Sequence, residues 1–116
     1  MGDLAFPRSR HLKLPSDFRS VLDRGGKRHS RAFIFFRAPN GLTEPRLGVS
    51  VSRKIGGAVT RNRVKRLMRE SFRLHAREWR LEGTDLLVVA KRGAESLSYR
   101  EVEGQFSGAL QPRGER

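Results

Sequence analysis

The chain has 116 residues, 25 of them Lys or Arg and 12 Asp or Glu, which leaves a formal net charge of +13. That length suits one domain around one modest core, and cation in such excess destabilises a compact state by self-repulsion unless a polyanion offsets it. With no cysteine a disulfide framework and a thiolate metal site are excluded, and no run approaches the ~20 apolar residues of a membrane span.

Met1 to Pro7 lacks a basic opening and a long apolar run, so no signal peptide is expected. Gly2 stands where a myristoylated glycine would, but the residues after it do not fit that motif. Residues 1–12 read as an extended basic arm. Ser16 is the expected cap of a short helix over 17–23, with Phe18, Val21 and Leu22 forming its apolar stripe and Gly25-Gly26 stopping it. A strand over 32–37 follows, with Phe33 and Phe35 on one face and Ile34 and Phe36 on the other. Pro39-Asn40-Gly41 makes a turn. In a second strand over 46–52, Leu47, Val49 and Val51 alternate with Gly48, Ser50 and Ser52. Thr60, after Gly56-Gly57, is the expected N-cap of a long helix to about His75. Leu86 to Ala90 reads as a buried central strand. Ser98 and Glu101 make a capping box for a last helix that buries Val102, Phe106, Ala109 and Leu110, weakened by Gly104 and Gly108. Residues 111–116 read as a frayed tail. The sum is an α+β domain with one small sheet of three or four strands against three helices.

The long helix carries the most information. At 100° per residue, Val64, Leu67, Met68, Ser71, Leu74 and His75 fall on one arc, predicted to pack on the sheet. Arg61, Lys65, Arg69 and Arg73 form a stripe opposite it, flanked by Asn62 and Arg66. Each like-charged i, i+4 pair costs ~0.2–0.5 kcal/mol in an isolated helix. Arg61 and Arg63 are placed in the first turn, where the helix dipole disfavours cations but where free backbone N–H groups attract anions. Cations at that end, beside a diglycine loop, point to close approach by a phosphate backbone. An anionic membrane surface is the competing polyanion.

The phenylalanines Phe18, Phe33, Phe35, Phe36 and Phe72 are chiefly core candidates. A small domain has difficulty burying both faces of the 33–36 strand, so one face is expected to stay partly open unless the first helix covers it. Aromatic rings beside Ser50 and Ser52 would suit single-stranded bases, at ~1–3 kcal/mol per stacked base. His11, His29 and His75 are scattered, with no metal or triad spacing. Asp17, Asp23 and Asp85 sit in separate elements, and no nucleophile with its base is visible.

LGVSVSRK at 47–54 and AVTRNRVKRLMRESFR at 58–73 resemble the protein subunit of bacterial ribonuclease P, with Arg61-Asn62-Arg63 as the most specific part. Phe6-Pro7-Arg8, Ser16-Asp17-Phe18 and the stretch 85–92 extend the resemblance over about 4–110. It implies an α-β-β-β-α-β-α domain with about four strands in a mixed sheet and an extra strand near 27–30. It also implies a left-handed β-α-β crossover, against the right-handed general rule. The implied activity is removal of the 5′ leader from precursor tRNA by a cytoplasmic ribonucleoprotein. Its Mg²⁺ is held mainly by the RNA, with no organic cofactor, no catalytic group on this chain, no membrane and no protein partner. The implied partners are ribonuclease P RNA, on Arg61, Asn62, Arg63, Lys65, Arg66, Arg69 and Arg73, and precursor tRNA. The tRNA leader would lie in a cleft of Phe18, Phe36, Val49, Ser50, Ser52, Arg53 and Lys54. Two departures stand out: His11 occupies a common arginine position and Leu22 a frequent aromatic one. A structural ribosomal RNA-binding protein is the alternative, and a DNA-binding regulator with the basic helix in a groove is a third reading.

Overall fold

The computed structural model describes residues 11–12 and 15–112. In chain order the elements are α1 (Pro15–Arg24), β1 (Gly26–His29), β2 (Phe33–Pro39), β3 (Arg46–Ser50), α2 (Ala58–His75), β4 (Thr84–Ala90), a 3-10 turn at Ala94–Ser96, and α3 (Tyr99–Leu110). The order matches the α+β expectation, and the strand expected near 27–30 is β1. The sheet runs β1-β2-β4-β3. Both β1 and β4 pair antiparallel with β2, while β3 is parallel to β4 and reaches it through α2. The apolar run of β4 suits an inner strand, paired along both edges and buried on both faces. Residues 1–10 of the expected arm and 113–116 of the expected tail lie outside the described residues. The end of the arm is held in place: Leu12 N–H donates to the Leu47 carbonyl at 3.0 Å, and Leu12 is buried.

Strand alternation sorts the sheet into two faces. Phe33, Phe35, Leu86, Val88 and Leu47 face α2 and α3 and join Val64, Met68, Phe72, Trp79, Val102 and Phe106 in the main core. Phe36, Ala38, Leu87 and Val89 face α1 and meet Leu12, Phe18 and Val21 in a smaller cluster. The first helix thus covers part of the second face. α1 ends at Gly25, whose N–H donates to the Val21 carbonyl at 2.7 Å. A Cβ there would stand 2.4 Å from that oxygen and 2.9 Å from the Arg37 carbonyl, so only glycine lets the chain turn from α1 into β1.

Three expectations need correction. α1 starts at Pro15, ahead of the Ser16 cap, at a position where the missing proline N–H costs nothing. α2 starts at Ala58, not after a Thr60 cap: Gly57 is extended and its carbonyl accepts the Arg61 N–H at 2.9 Å, so Thr60 lies inside the first turn. The buried arc of α2 is Val64, Met68, Ser71 and Phe72, while Leu74 is 52% exposed. Packing against α3 as well as the sheet turns the helix so that Phe72, which the arc left out, enters the core.

Two polar clamps close the fold. Arg46 at the start of β3 donates through Nε and Nη2 to the two oxygens of Asp85 in β4, at 2.8 and 2.7 Å. Asn40 adds a third hydrogen bond to Asp85 at 2.9 Å. The buried carboxylate is therefore structural, and its hydrogen bond raises the Arg46 pKa further above the ordinary guanidinium value despite desolvation. At the other clamp, the His75 ring stacks on Trp79 and lies between the carboxylates of Glu78 (2.9 Å) and Glu103 of α3. His75 thus has two acidic partners, Glu78 three residues on and Glu103, which its sequence neighbourhood could not reveal because it comes from another helix.

Burial alone would pull the His75 pKa down, but its hydrogen bonds to Glu78 and Glu103 outweigh that and raise it above 6.5. A raised folded-state pKa contributes stability that is complete below the unfolded value and lost as pH climbs through the folded one. The melting-temperature advantage of wild type over His75→Gln is therefore expected to be full below the ordinary histidine value and to shrink as pH rises through the raised one. A difference that stays flat or grows with pH would contradict the clamp.

Candidate nucleic-acid interface

The β3–α2 loop and the start of α2 emerge from one end of the sheet. Val51 and Ile55 anchor that loop in the core, while Ser52, Arg53 and Lys54 between them are exposed. The N-terminus of α2 has no side-chain cap and no acid in its first turn. Its first backbone donors therefore keep their capacity for an anion. Since α2 begins at Ala58, Arg63 falls in the second turn, and the expected conflict with the helix dipole is confined to Arg61.

The basic residues of α2 do not form one flat stripe opposite the sheet. Asn62, Arg63 and Arg66 are exposed, while Arg61, Lys65, Arg69 and Arg73 are part-buried along the flank of the helix. Arg63 Nη2 donates to the Leu97 carbonyl at 2.9 Å, which ties α2 to the segment before α3. Arg73 pairs with Glu70 at 2.6 Å. Arg61 Nε is enclosed without a hydrogen-bond acceptor. Arg66 thus has the most open charge in the set, and Arg63 serves packing as well as charge.

The α1 side of the sheet holds the second candidate surface. The strand registers define two rows across it: Lys27, Phe36, Leu87 and Gly48, then His29, Ile34, Val89 and Ser50. Phe18 of α1 sits over the first row. A Cβ at Gly48 would lie 3.1 Å from the Phe18 ring and 3.1 Å from Leu12 Cβ, so the glycine sets how closely α1 approaches β3. Beyond Phe18, the row of Ile34, Val89 and Ser50 is half open. Phe36 is also half open, with the Lys27 ammonium 5.8 Å from its ring centroid, within cation–π range.

Of the expected cleft residues, the structure brings together Phe18, Phe36 and Ser50, with Ser52, Arg53 and Lys54 at the adjoining end. Val49 lies on the other face. It pairs in register with Val88 and packs against the main core, as the alternation with Leu47 and Val51 requires. Leu22, expected on the apolar stripe of the first helix with Phe18 and Val21, is 46% exposed.

Sequence reasoning also missed cations at this end. Lys91 and Arg92 follow β4 where it ends beside Ser50, and the Lys91 N–H donates to the Ala32 carbonyl at 2.8 Å. They carry no periodic signal, and only the parallel pairing of β3 with β4 sets them near Arg53 and Lys54. The result is an aromatic floor with a cationic rim, suited to bases below and phosphates above. Among the described residues no group of three or more His, Asp or Glu could hold a metal ion, and no helix is long and apolar enough to cross a membrane.

Comparison with known proteins finds relatives that span nearly the whole chain. The family model described as Ribonuclease P matches residues 6–112. The ribonuclease P protein component of Clostridium botulinum (strain Loch Maree / Type A3) is 36% identical over 103 residues, covering 89% of this chain and 93% of that protein. The corresponding component of Chromohalobacter salexigens is 38% identical over 110 residues, covering 93% and 84%. Among solved structures, the RNase P protein of Staphylococcus aureus superposes with a TM-score of 0.79 at 29% identity, covering 87% of this chain and 92% of that one. That of Thermotoga maritima gives 0.79 at 28%, covering 90% and 98%.

Proposed function

Because the chain belongs to the ribonuclease P protein family, as the protein component of that ribonucleoprotein endonuclease, we propose that its two basic surfaces divide the RNA between them. The exposed face of α2, with Asn62, Arg63 and Arg66 at its centre and Arg61, Lys65, Arg69 and Arg73 along its flank, takes phosphates of ribonuclease P RNA. The α1–sheet cleft, with Phe18, Phe36 and Ser50 inside and Ser52, Arg53 and Lys54 at its end, takes the single-stranded 5′ leader of precursor tRNA. The reaction is hydrolysis of the phosphodiester between leader and mature tRNA. Its chemical groups and its Mg²⁺ belong to the RNA in this reading, and no step passes through an ion on this chain.

The observation that carries the proposal is the half-open Phe36 with Phe18 seated over Gly48, between cations. A purely structural ribosomal protein with no part in turnover has no need of a single-strand platform. Adding the chain to ribonuclease P RNA at limiting Mg²⁺ is expected to restore cleavage of precursor tRNA, and no restoration would refute the reading. Phe36→Ala removes one stacking surface worth ~1–3 kcal/mol. It is expected to weaken binding of precursor tRNA by the holoenzyme roughly 5- to 150-fold, with mature tRNA little changed. Equal loss on both would make Phe36 a core residue only.

A further inference from the structure

Val89 is the one residue of β4 that is not buried. Leu87, two positions earlier on the same face, lies under α1, so the opening marks where the cover of the first helix stops. Across the sheet Val89 is flanked by Ser50 on one side and Ile34 on the other, and the row ends at His29 on the border strand β1. We infer that the His29 ring stacks on an unpaired base of the 5′ leader of precursor tRNA, in a second lane beside that of Phe36; the inference rests on the reading of this cleft as the leader's site.

The surface of this lane suits a base. Ile34, Val89 and Ser50 are half-buried, while His29 is exposed, with no hydrogen bond or ion pair to another described residue. A ring at the rim of a shallow apolar floor offers a base one face and leaves its polar edges to water. Charge selects the same occupant. None of residues 27–31, 50–54 and 89–92, which carry the lane and the loops at its end, is acidic, and Lys27, Arg31, Arg53, Lys54, Lys91 and Arg92 are cations. Such a rim attracts a sugar–phosphate backbone and repels a basic peptide. The spacing also fits. Residues two apart on a strand stand about 7 Å from each other, so His29 and Ile34 lie one extended nucleotide step from Lys27 and Phe36. The hairpin that presents His29 is fixed from outside. The Gln105 carboxamide oxygen of α3 accepts the Ser30 hydroxyl at 2.7 Å and the Ala32 N–H at 2.8 Å, and the Ser30 N–H donates to the Phe33 carbonyl at 2.8 Å. Little ordering of the backbone is then lost when a base arrives.

The test uses the assembled holoenzyme and precursor tRNAs whose leaders carry a single abasic nucleotide at successive positions, with mature tRNA as the reference. Wild type is expected to lose affinity at two neighbouring leader positions. His29→Ala is expected to bind the unmodified precursor about fivefold more weakly. It then loses nothing further at one of those two positions, which Phe36→Ala leaves sensitive. His29→Phe keeps a ring without its polar edge and is expected to restore both the affinity and the sensitivity at that position. Mature tRNA binding and the melting temperature are expected to stay at wild-type values in His29→Ala, since the side chain is exposed. A wild-type abasic pattern and affinity in His29→Ala, while Phe36→Ala still loses, overturns this inference alone. So does an equal loss on precursor and mature tRNA, a loss in association with ribonuclease P RNA, or a loss that His29→Phe fails to restore. A wild type indifferent to every abasic position, with Phe36→Ala unchanged, overturns it together with the reading beneath it.

Discussion

Phe106→Ala is expected to destabilise the fold by about 3–5 kcal/mol, a large share of the roughly 5–15 kcal/mol that holds a domain together. The ring is wholly buried and meets Phe33 and Phe35 edge-on at 5.2 and 5.0 Å, with Trp79 at 6.2 Å. It pins α3 to the sheet, and α3 in turn supports α2 through Glu103 and His75. Removing it opens a cavity among rings already fixed by other contacts, so relaxation recovers little. Urea titration of the variant reads the loss directly, and Leu22→Ala, at a position 46% exposed, supplies a control expected within about 0.5 kcal/mol of wild type. A cost below about 1 kcal/mol for Phe106→Ala would mean that α3 is not a layer of the core.

Arg61→Ala combined with Arg66→Ala is expected to act in the opposite compartment of the energetics, on binding. Hydrogen bonds to charged groups contribute about 1.5–3 kcal/mol each, so losing two weakens association with ribonuclease P RNA by at least about 100-fold. Fold stability is expected to change little, since removing Arg61 relieves its repulsion with Lys65, a term of only ~0.2–0.5 kcal/mol. Arg63 is left intact on purpose: its hydrogen bond to the Leu97 carbonyl would mix a structural loss into the result. Gel-shift titration with the melting temperature measured alongside separates the two effects. Unchanged affinity would remove α2 from the RNA interface.

Local rules made much of this molecule legible. The Ser98–Glu101 capping box forms as its spacing requires, with the Glu101 N–H donating to Ser98 Oγ at 3.2 Å and the Ser98 N–H to the Glu101 carboxylate at 2.9 Å. The alternation of Phe33, Ile34, Phe35 and Phe36 assigned the two faces of β2, and that of Leu47, Val49 and Val51 gave the core face of β3. Val49 then shows the limit of carrying a role over by resemblance, because its own alternation already placed it away from Phe36. What stayed hidden depends on contacts distant in sequence. Phe72 is buried and Leu74 exposed because α3 contributes to the burial of α2, which a period measured on α2 alone does not register. The Arg46–Asp85 clamp joins residues 39 apart, and the His75 clamp takes Glu103 from a different helix.

β1 is the outer strand of the sheet, and all four of its residues, Gly26, Lys27, Arg28 and His29, are exposed. At the opposite border, the contact of His11 and Leu12 with Leu47 covers part of β3. Among the described residues, one border is therefore sheltered by chain and the other by repulsion between cations, a common defence against strand-to-strand association. That defence depends on ionic conditions. Salt near 1 M shortens the screening length to about 3 Å and removes it, as does partial neutralisation by a polyanion too short to cover the strand. Self-association through β1 is thus expected to rise with salt and to fall when the chain is fully assembled with RNA, which light scattering across a salt series would read.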